Sequence, residues 1–242
     1  MNTSPLRNNL TFFIALTVYW LFQLLLLLIH GYKDSFLLLN SLHFSALDYP
    51  MFVLTHLGDP LIITSLLTLL LSRSNPQGVL YIIVAVTLTG LFGQLLKNTF
   101  FEGWDRPLQV FREIAEVHTV AGYKMYHNSF PSGHSIVVAA AITAAMLISK
   151  TTKWMQVSAA LFVALVSYTR TYVGVHFPGD VLTGTLIGSA GAILLFGPVY
   201  GNLIKRNNSG RDSRKGRTVK TLHIIAVVSF VLGIYLIAES LS

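Results

Sequence analysis

The chain contains no cysteine, which excludes disulfides, thiolate nucleophiles and cysteine-held metals. Charge is also scarce. Only 11% of the 242 residues are Asp, Glu, Lys or Arg, against about 25% in an ordinary soluble domain. Apolar residues make up 53%. So little polar material does not cover a water-soluble fold of this size, and the composition points to a polytopic membrane protein. Acids are the rarest group, ten against 17 basic residues, for a net charge of +7. That excess is no nucleic-acid footprint, because no aromatic residues interleave with its basic cluster.

What the chain does have is long apolar runs. Seven stretches approach the roughly 20 helical residues that a bilayer core demands: 10–30, 52–72, 78–97, 134–149, 155–173, 180–200 and 219–238. The fourth is short, held between Pro131 and Lys150. The first is too long for a signal-peptide core and has no small-residue cleavage site, so it reads as retained. No internal repeat is evident.

The basic residues orient the bundle. With the N-terminus in the cytoplasm, the inside segments carry Arg7, Arg73, Lys150, Lys153 and the 201–220 cluster. That is eleven basic residues against the single acid Asp212. The positive-inside rule favours this arrangement, and seven crossings would leave the C-terminus outside. The basic loop 201–218 serves mainly as a topology determinant that also attracts anionic lipid. The outer connection 98–133 is long and rich in ionisable and aromatic residues, as functional loops tend to be. Residues 107–120 are predicted to form a short amphipathic helix on the outer interface, with Pro107 in its first turn.

Ionised groups near the apolar layer are functional candidates by default. Here they share one side. Lys97 ends the third span, Arg106 follows in Trp104-Asp105-Arg106-Pro107, and His134 opens the fourth span after Pro131-Ser132-Gly133. Arg170 sits near the outer end of the fifth, and His176 and Asp180 lead into the sixth. Three cations suit a doubly charged phosphate, with arginine gripping two oxygens and lysine acting as a mobile point charge. Ser132 and Gly133 precede a helix whose free N–H groups favour an anion, and the glycine permits close approach. Of the two histidines, one can attack phosphorus and the other can protonate the leaving oxygen. Asp180, four residues after His176, can hold one ring nitrogen and leave the other unprotonated. A metal site from His134, His176 and Asp180 is the weaker alternative, since the spacing matches no zinc pattern and the nearby cations repel a metal. His56 and Asp59 fall near the outer end of the second span, either at the site entrance or capping a helix start.

These residues resemble the membrane branch of the type 2 phosphatidic acid phosphatase superfamily. The shared pattern is a Lys followed by Arg-Pro, then Pro-Ser-Gly-His, then Ser-Arg, five residues, His, three residues and Asp. The chain shows Lys97 with Arg106-Pro107, Pro131-Ser132-Gly133-His134, and Thr169-Arg170 with His176 and Asp180. Two departures stand out: eight residues rather than six separate Lys97 from Arg106, and Thr169 replaces a serine.

The resemblance implies an all-α membrane bundle, with a six-helix phosphatase core over 1–200. The basic loop 201–218 and a seventh transmembrane helix in 219–242 lie beyond it. His176 would be the nucleophile, Asp180 its orienter and His134 the general acid. Lys97, Arg106, Ser132, Gly133 and Arg170 would hold the phosphate. No metal or other cofactor is implied, and the reaction would pass through a phosphohistidine. The expected partner is a lipid phosphate or polyprenyl diphosphate at the outer face of a bacterial cytoplasmic membrane. Family substrates include phosphatidic acid, phosphatidylglycerophosphate, undecaprenyl diphosphate and lipid A phosphates. Transfer of phosphate between lipids, or a silent lipid-binding or transport role, are the rival functions. The oligomeric state is not legible in the sequence.

Overall fold

A computed structural model describes residues 4–207 and 213–239. All of their regular structure is helical. The helices that organise the fold are α1 (Leu10–Ser41), α2 (Ser45–Thr55), α3 (Pro60–Leu71), α4 (Pro76–Thr99), α5 (Gly133–Ile148), α6 (Lys153–Tyr172), α7 (Pro178–Leu195) and α8 (Ser213–Glu239). Four segments are individually long and apolar enough to cross a bilayer: Leu10–Ser41, Pro76–Thr99, Pro178–Lys205 and Gly216–Glu239. This is an integral membrane protein.

The bundle is built around α5, the short fourth stretch. From Ser135 to Ala145 every residue of this helix is buried. Its small side chains let neighbouring backbones approach closely, the main source of helix association where lipid and side chain are equally apolar. The closest approach is to α7. A Cβ at Gly184 would lie 2.6 Å from the Ser132 carbonyl oxygen, and one at Gly188 would lie 2.2 Å from that of Ile136. Side chains at these two positions would force the helices apart. Because α5 opens with His134 and α7 follows His176, this tight pairing fixes the separation of the two histidines.

Three features depart from the sequence expectation. The second stretch is not one straight span: α2 and α3 meet at 76° across a break at His56–Asp59. Pro60 cannot continue the α2 hydrogen-bond ladder, and Asp59 is extended and caps α3. Its Oδ1 accepts from Leu61 N at 2.8 Å and Ile62 N at 3.2 Å. Within α1, Gly31 adopts φ +76°, a left-handed conformation that favours glycine. The break coincides with the end of the expected first span at residue 30 and swings Tyr32, Phe36 and Asn40 over the bundle end.

The third departure is the 107–120 helix, of which only Pro107–Val110 forms. The segment beyond it folds inward instead of lying on the interface. Phe111 stacks on Phe36 and packs against Phe177, while Val120 joins Tyr172, Val173 and Val175. Asn40 ties this loop down. Its Nδ2 donates to the carbonyls of His118, Thr171 and Tyr172 at 3.0–3.1 Å, and its Oδ1 accepts from His118 N at 2.9 Å. Burying those side chains and satisfying those carbonyls outweighs a marginal isolated helix.

The expected basic loop is helical at Asn202–Asn207 and again from Ser213. Residues 208–212 of that loop lie outside the described residues. The seventh stretch, α8, packs along α3, where Leu222 and Ala226 are buried.

Candidate active site

Asp180 organises the site. Lying in the first turn of α7, it is fully buried. Its Oδ2 accepts from His176 Nδ1 at 3.1 Å, from the Phe177 backbone N–H at 3.1 Å and from Ser129 Oγ at 2.5 Å. Its Oδ1 accepts from the Tyr32 hydroxyl. A buried carboxylate needs that many donors to remain charged. The local sequence explains the arrangement: Pro178 starts the helix, and Asp180 at its third position reaches back to the preceding N–H.

His176 is thereby oriented at both ring nitrogens. Arg106 Nη1 lies 3.4 Å from its Nε2. Guanidinium has only donors, so Nε2 must present a lone pair and Nδ1 carries the proton shared with Asp180. The ring is 2% exposed. Burial holds its pKa well below the ordinary histidine value, helped by the positive charges of Arg106, Lys97, Arg170 and then His134. His176 is therefore neutral at pH 7, with a free nitrogen facing the cation cluster.

Arg106 is fixed by backbone carbonyls rather than by acids. Its Nε donates to His127 O at 2.8 Å, its Nη1 to Val175 O at 3.0 Å and its Nη2 to Asn128 O at 3.2 Å. Burial lowers its pKa to about 10, with Arg170 adding to the shift, so it stays protonated at pH 7. Arg170 donates from Nη1 to Thr55 Oγ1 at 2.6 Å and lies 6.0 Å above the Tyr123 ring. Among the described residues its buried Nε has no hydrogen-bond partner. Lys97, at the last turn of α4, is 9% exposed and close enough to shift His176. The eight-residue spacing thus does not remove it from the cluster.

The remaining candidates fall around this centre. Ser132 holds the position before α5 without a side-chain cap: its N–H donates to Asp180 O at 3.1 Å, and its hydroxyl accepts from Ser135 Oγ. The N–H groups left for an anion begin at Gly133, whose Cα faces open space. His134 is half-buried against Gly58. His56 and Asp59 border a cavity of about 450 Å³ that His134 and Arg170 also line; Asp59 is a helix cap as well. Among the described residues no group of His, Asp and Glu is arranged to hold a metal ion.

Tyr32, Ser129 and Asn40 were invisible as site residues in the sequence. Ser129 stood two residues before a recognised motif. Tyr32 and Asn40 lay beyond the end of an apolar run, with only Gly31 as a signal that the chain turns there.

The electrostatic balance is decisive. Lys97, Arg106 and Arg170 are 9%, 6% and 3% exposed, and among the described residues the one buried carboxylate with them is Asp180. Buried charge of one sign is costly unless a counter-charge arrives. Three buried cations against one buried carboxylate leave this end of the bundle with an excess of positive charge.

A PAP2 superfamily model matches residues 78–203. The chain belongs to the PAP2 superfamily. The match runs from α4 through α7 and excludes α8. The undecaprenyl-diphosphatase of Sulfolobus acidocaldarius is 28% identical over 71% of this chain and 86% of its own length. The lipid A 4′-phosphatase of Bacteroides thetaiotaomicron is 33% identical over 67% of this chain and 75% of its own. The crystal structure of Aquifex aeolicus LpxE superposes with a TM-score of 0.60 at 26% identity, covering 68% of this chain and 94% of LpxE. The Bacillus subtilis phosphatidylglycerolphosphate phosphatase shares the fold at TM-score 0.52 and 22% identity, over 81% of this chain and 98% of its own.

Proposed function

We propose that this PAP2 protein hydrolyses a phosphate or diphosphate group carried by a membrane lipid, through a phosphohistidine on His176. The observation that carries the reading is the placement of His176, with Nδ1 held by Asp180 and Nε2 directed at Arg106 in a cluster of three buried cations. The phosphoryl group sits between Arg106, Arg170 and Lys97, with the N–H of Gly133 against one oxygen. Nε2 attacks phosphorus in line, and the bond from phosphorus to the lipid-side oxygen breaks. His134 protonates that oxygen, and Asp180 stabilises the positive imidazole that forms. Water then attacks the phosphohistidine with His134 as base, releasing inorganic phosphate. The cations and the helix N-terminus act on charge gathered on the equatorial oxygens, the largest contribution to phosphoryl transfer.

The substrate class follows from the site's place at one end of a membrane bundle. A lipid there keeps its chain in the bilayer while its headgroup reaches the cations. The named relatives act on undecaprenyl diphosphate and lipid A, two unlike lipids joined by a terminal phosphate. Incubating the purified chain in detergent and excess chelator with phosphatidic acid, phosphatidylglycerophosphate, lipid A and undecaprenyl diphosphate tests the proposal. Sustained release of inorganic phosphate from at least one is expected. Loss of donor phosphate matched by a phosphorylated lipid would make the protein a transferase. No turnover of any would leave a lipid-binding role.

The charge asymmetry supports a cytoplasmic N-terminus, with the site on the outer face of the cytoplasmic membrane. His127 is exposed at the site end and pairs with Asp105. A cysteine there, in a chain with no other, is expected to react with an impermeant maleimide on the outer face of intact cells. Modification only after permeabilisation would reverse the orientation.

A further inference from the structure

Helix α8 lies beyond the matched region and leaves most of its apolar surface exposed, yet it reaches the site. A Cβ at Gly233 would lie 2.9 Å from Ile62 Cδ1 and 3.2 Å from Leu61 Cβ, so α8 packs tightly on α3. Beside this contact an apolar cleft of about 530 Å³ lies between α3, α4, α5 and α8. That falls within the roughly 300–1,000 Å³ of ordinary ligand sites. Leu222, Ile225, Ala226 and Ser229 supply the α8 wall, while Gly58, Gly133 and His134 belong to the site end. Among the described residues no Asp, Glu, Lys or Arg lines it. Along α4 the lining runs from Ile83 to Gln94, roughly 16 Å at the rise of an α-helix. One leaflet of hydrocarbon is about 15 Å deep, half of a roughly 30 Å core.

A second contact is independent of the first. The cavity at the cation cluster, bordered by His56, Tyr123, His134 and Arg170, also takes in Leu236 and Ile237 from the far end of α8. His134 lines both cavities, so the apolar cleft lies next to the cation cluster.

We propose that α8 completes a cleft for one hydrocarbon chain of the substrate lipid, continuous at His134 with the phosphate site. This rests on the lipid-phosphatase reading and adds to it a specificity element outside the family core. The lining fits a chain: apolar, without ionised groups, and one leaflet deep. A chain gains no hydrophobic energy on moving from lipid into such a cleft, because lipid tails are as apolar as its walls. The cleft therefore selects by shape, admitting chains that thread between α3 and α8 and rejecting those that do not. Gly90 sits in its wall with nothing within 4 Å of an added Cβ. A side chain there would project into the free volume without disturbing a neighbour.

The test compares long and short chains on one headgroup. Two pairs serve: dioleoyl against dihexanoyl phosphatidic acid, and undecaprenyl against geranyl diphosphate. Gly90→Leu fills the cleft from α4, at a helical position where leucine is the better helix former. Ala226→Trp fills it from α8. Each variant is expected to lower the long-to-short ratio of kcat/KM by about tenfold or more. Turnover of the short chain reports that the variant is folded. An unchanged ratio in active Gly90→Leu protein would overturn the proposal. Equal slowing of long and short chains would also overturn it, pointing to a structural lipid in the cleft. Where the wild-type chain turns over neither pair but releases phosphate from lipid A or phosphatidylglycerophosphate, long- and short-chain forms of that lipid take their place; release from none of the four lipids would mean that the underlying reading of the site fails, and this one with it.

Discussion

Replacing His176 with alanine is expected to lower turnover of a lipid phosphate by about ten-thousandfold or more, and to abolish any acid-labile phosphoenzyme. The size of the effect follows from what is lost. Among the described residues no other histidine that faces the site is held by a buried carboxylate: neither His56 nor His134 has such a partner. Alanine would leave Asp180 with its bonds to Tyr32, Ser129 and Phe177 N–H, so the bundle end should stay assembled. The cation cluster would also remain, and the variant should still bind a phosphate analogue such as vanadate. Rapid-quench labelling with radioactive substrate reads the intermediate directly. A phosphoenzyme of normal amplitude in folded His176→Ala protein would remove His176 from the nucleophile role. The pH profile adds a signed check. Burial and three neighbouring cations depress the His176 pKa, so the group loses its nucleophilic form only when acid reaches that lowered value. The acid limb of wild-type kcat/KM, which reports free-enzyme groups, should therefore lie below the ordinary histidine pKa of about 6.5.

The parts of this molecule that could be read from sequence are those where chemistry and spacing coincide. Asp180 had to lie near His176, because four residues across a proline-started helix leave little freedom. Arg106 was legible as a cation but not as the group that sets the His176 tautomer, since its three carbonyl partners come from residues 127, 128 and 175. Such long-range pairing leaves no local signature. Tyr32 is the clearest case. A tyrosine after an apolar run reads as an interfacial anchor, and only the left-handed Gly31 turns it onto Asp180. The amphipathic pattern at 107–120 misled because Phe111 and Val120 are apolar for burial against α1 and α6, not for contact with lipid. The second apolar run was continuous in composition while the backbone breaks at Asp59-Pro60, where local capping overrides hydropathy. The seventh run was recognised as a helix, but its part in two cavities depends on α3, which it meets only in three dimensions.

Removing His134 should separate the two steps of the reaction, with a loss that depends on the leaving group. A general acid contributes about 10²–10⁴-fold when the departing oxygen is a poor leaving group. A lipid monophosphate expels an alkoxide, which requires that proton. A lipid diphosphate expels a phosphate monoester, whose own second pKa is about 6 and which leaves unprotonated at neutral pH. His134→Ala should therefore slow phosphorylation of His176 by about 10²–10⁴-fold with a monophosphate such as phosphatidic acid. With undecaprenyl diphosphate the same step should slow by about tenfold or less, since proton donation matters little there. The second step does not know which lipid has left. Hydrolysis of the phosphohistidine needs a base for water in both cases, so the intermediate should accumulate in the variant with either substrate and decay at one common slow rate. The two steps are read in one rapid-quench experiment, from the rise and the fall of labelled protein. A common decay rate with unequal rise is the pattern of one histidine acting first as acid and then as base. Equal slowing of the rise with both lipids would mean that His134 positions the phosphoryl group rather than the proton, and its place beside Gly58 and Arg170 would then be its whole contribution.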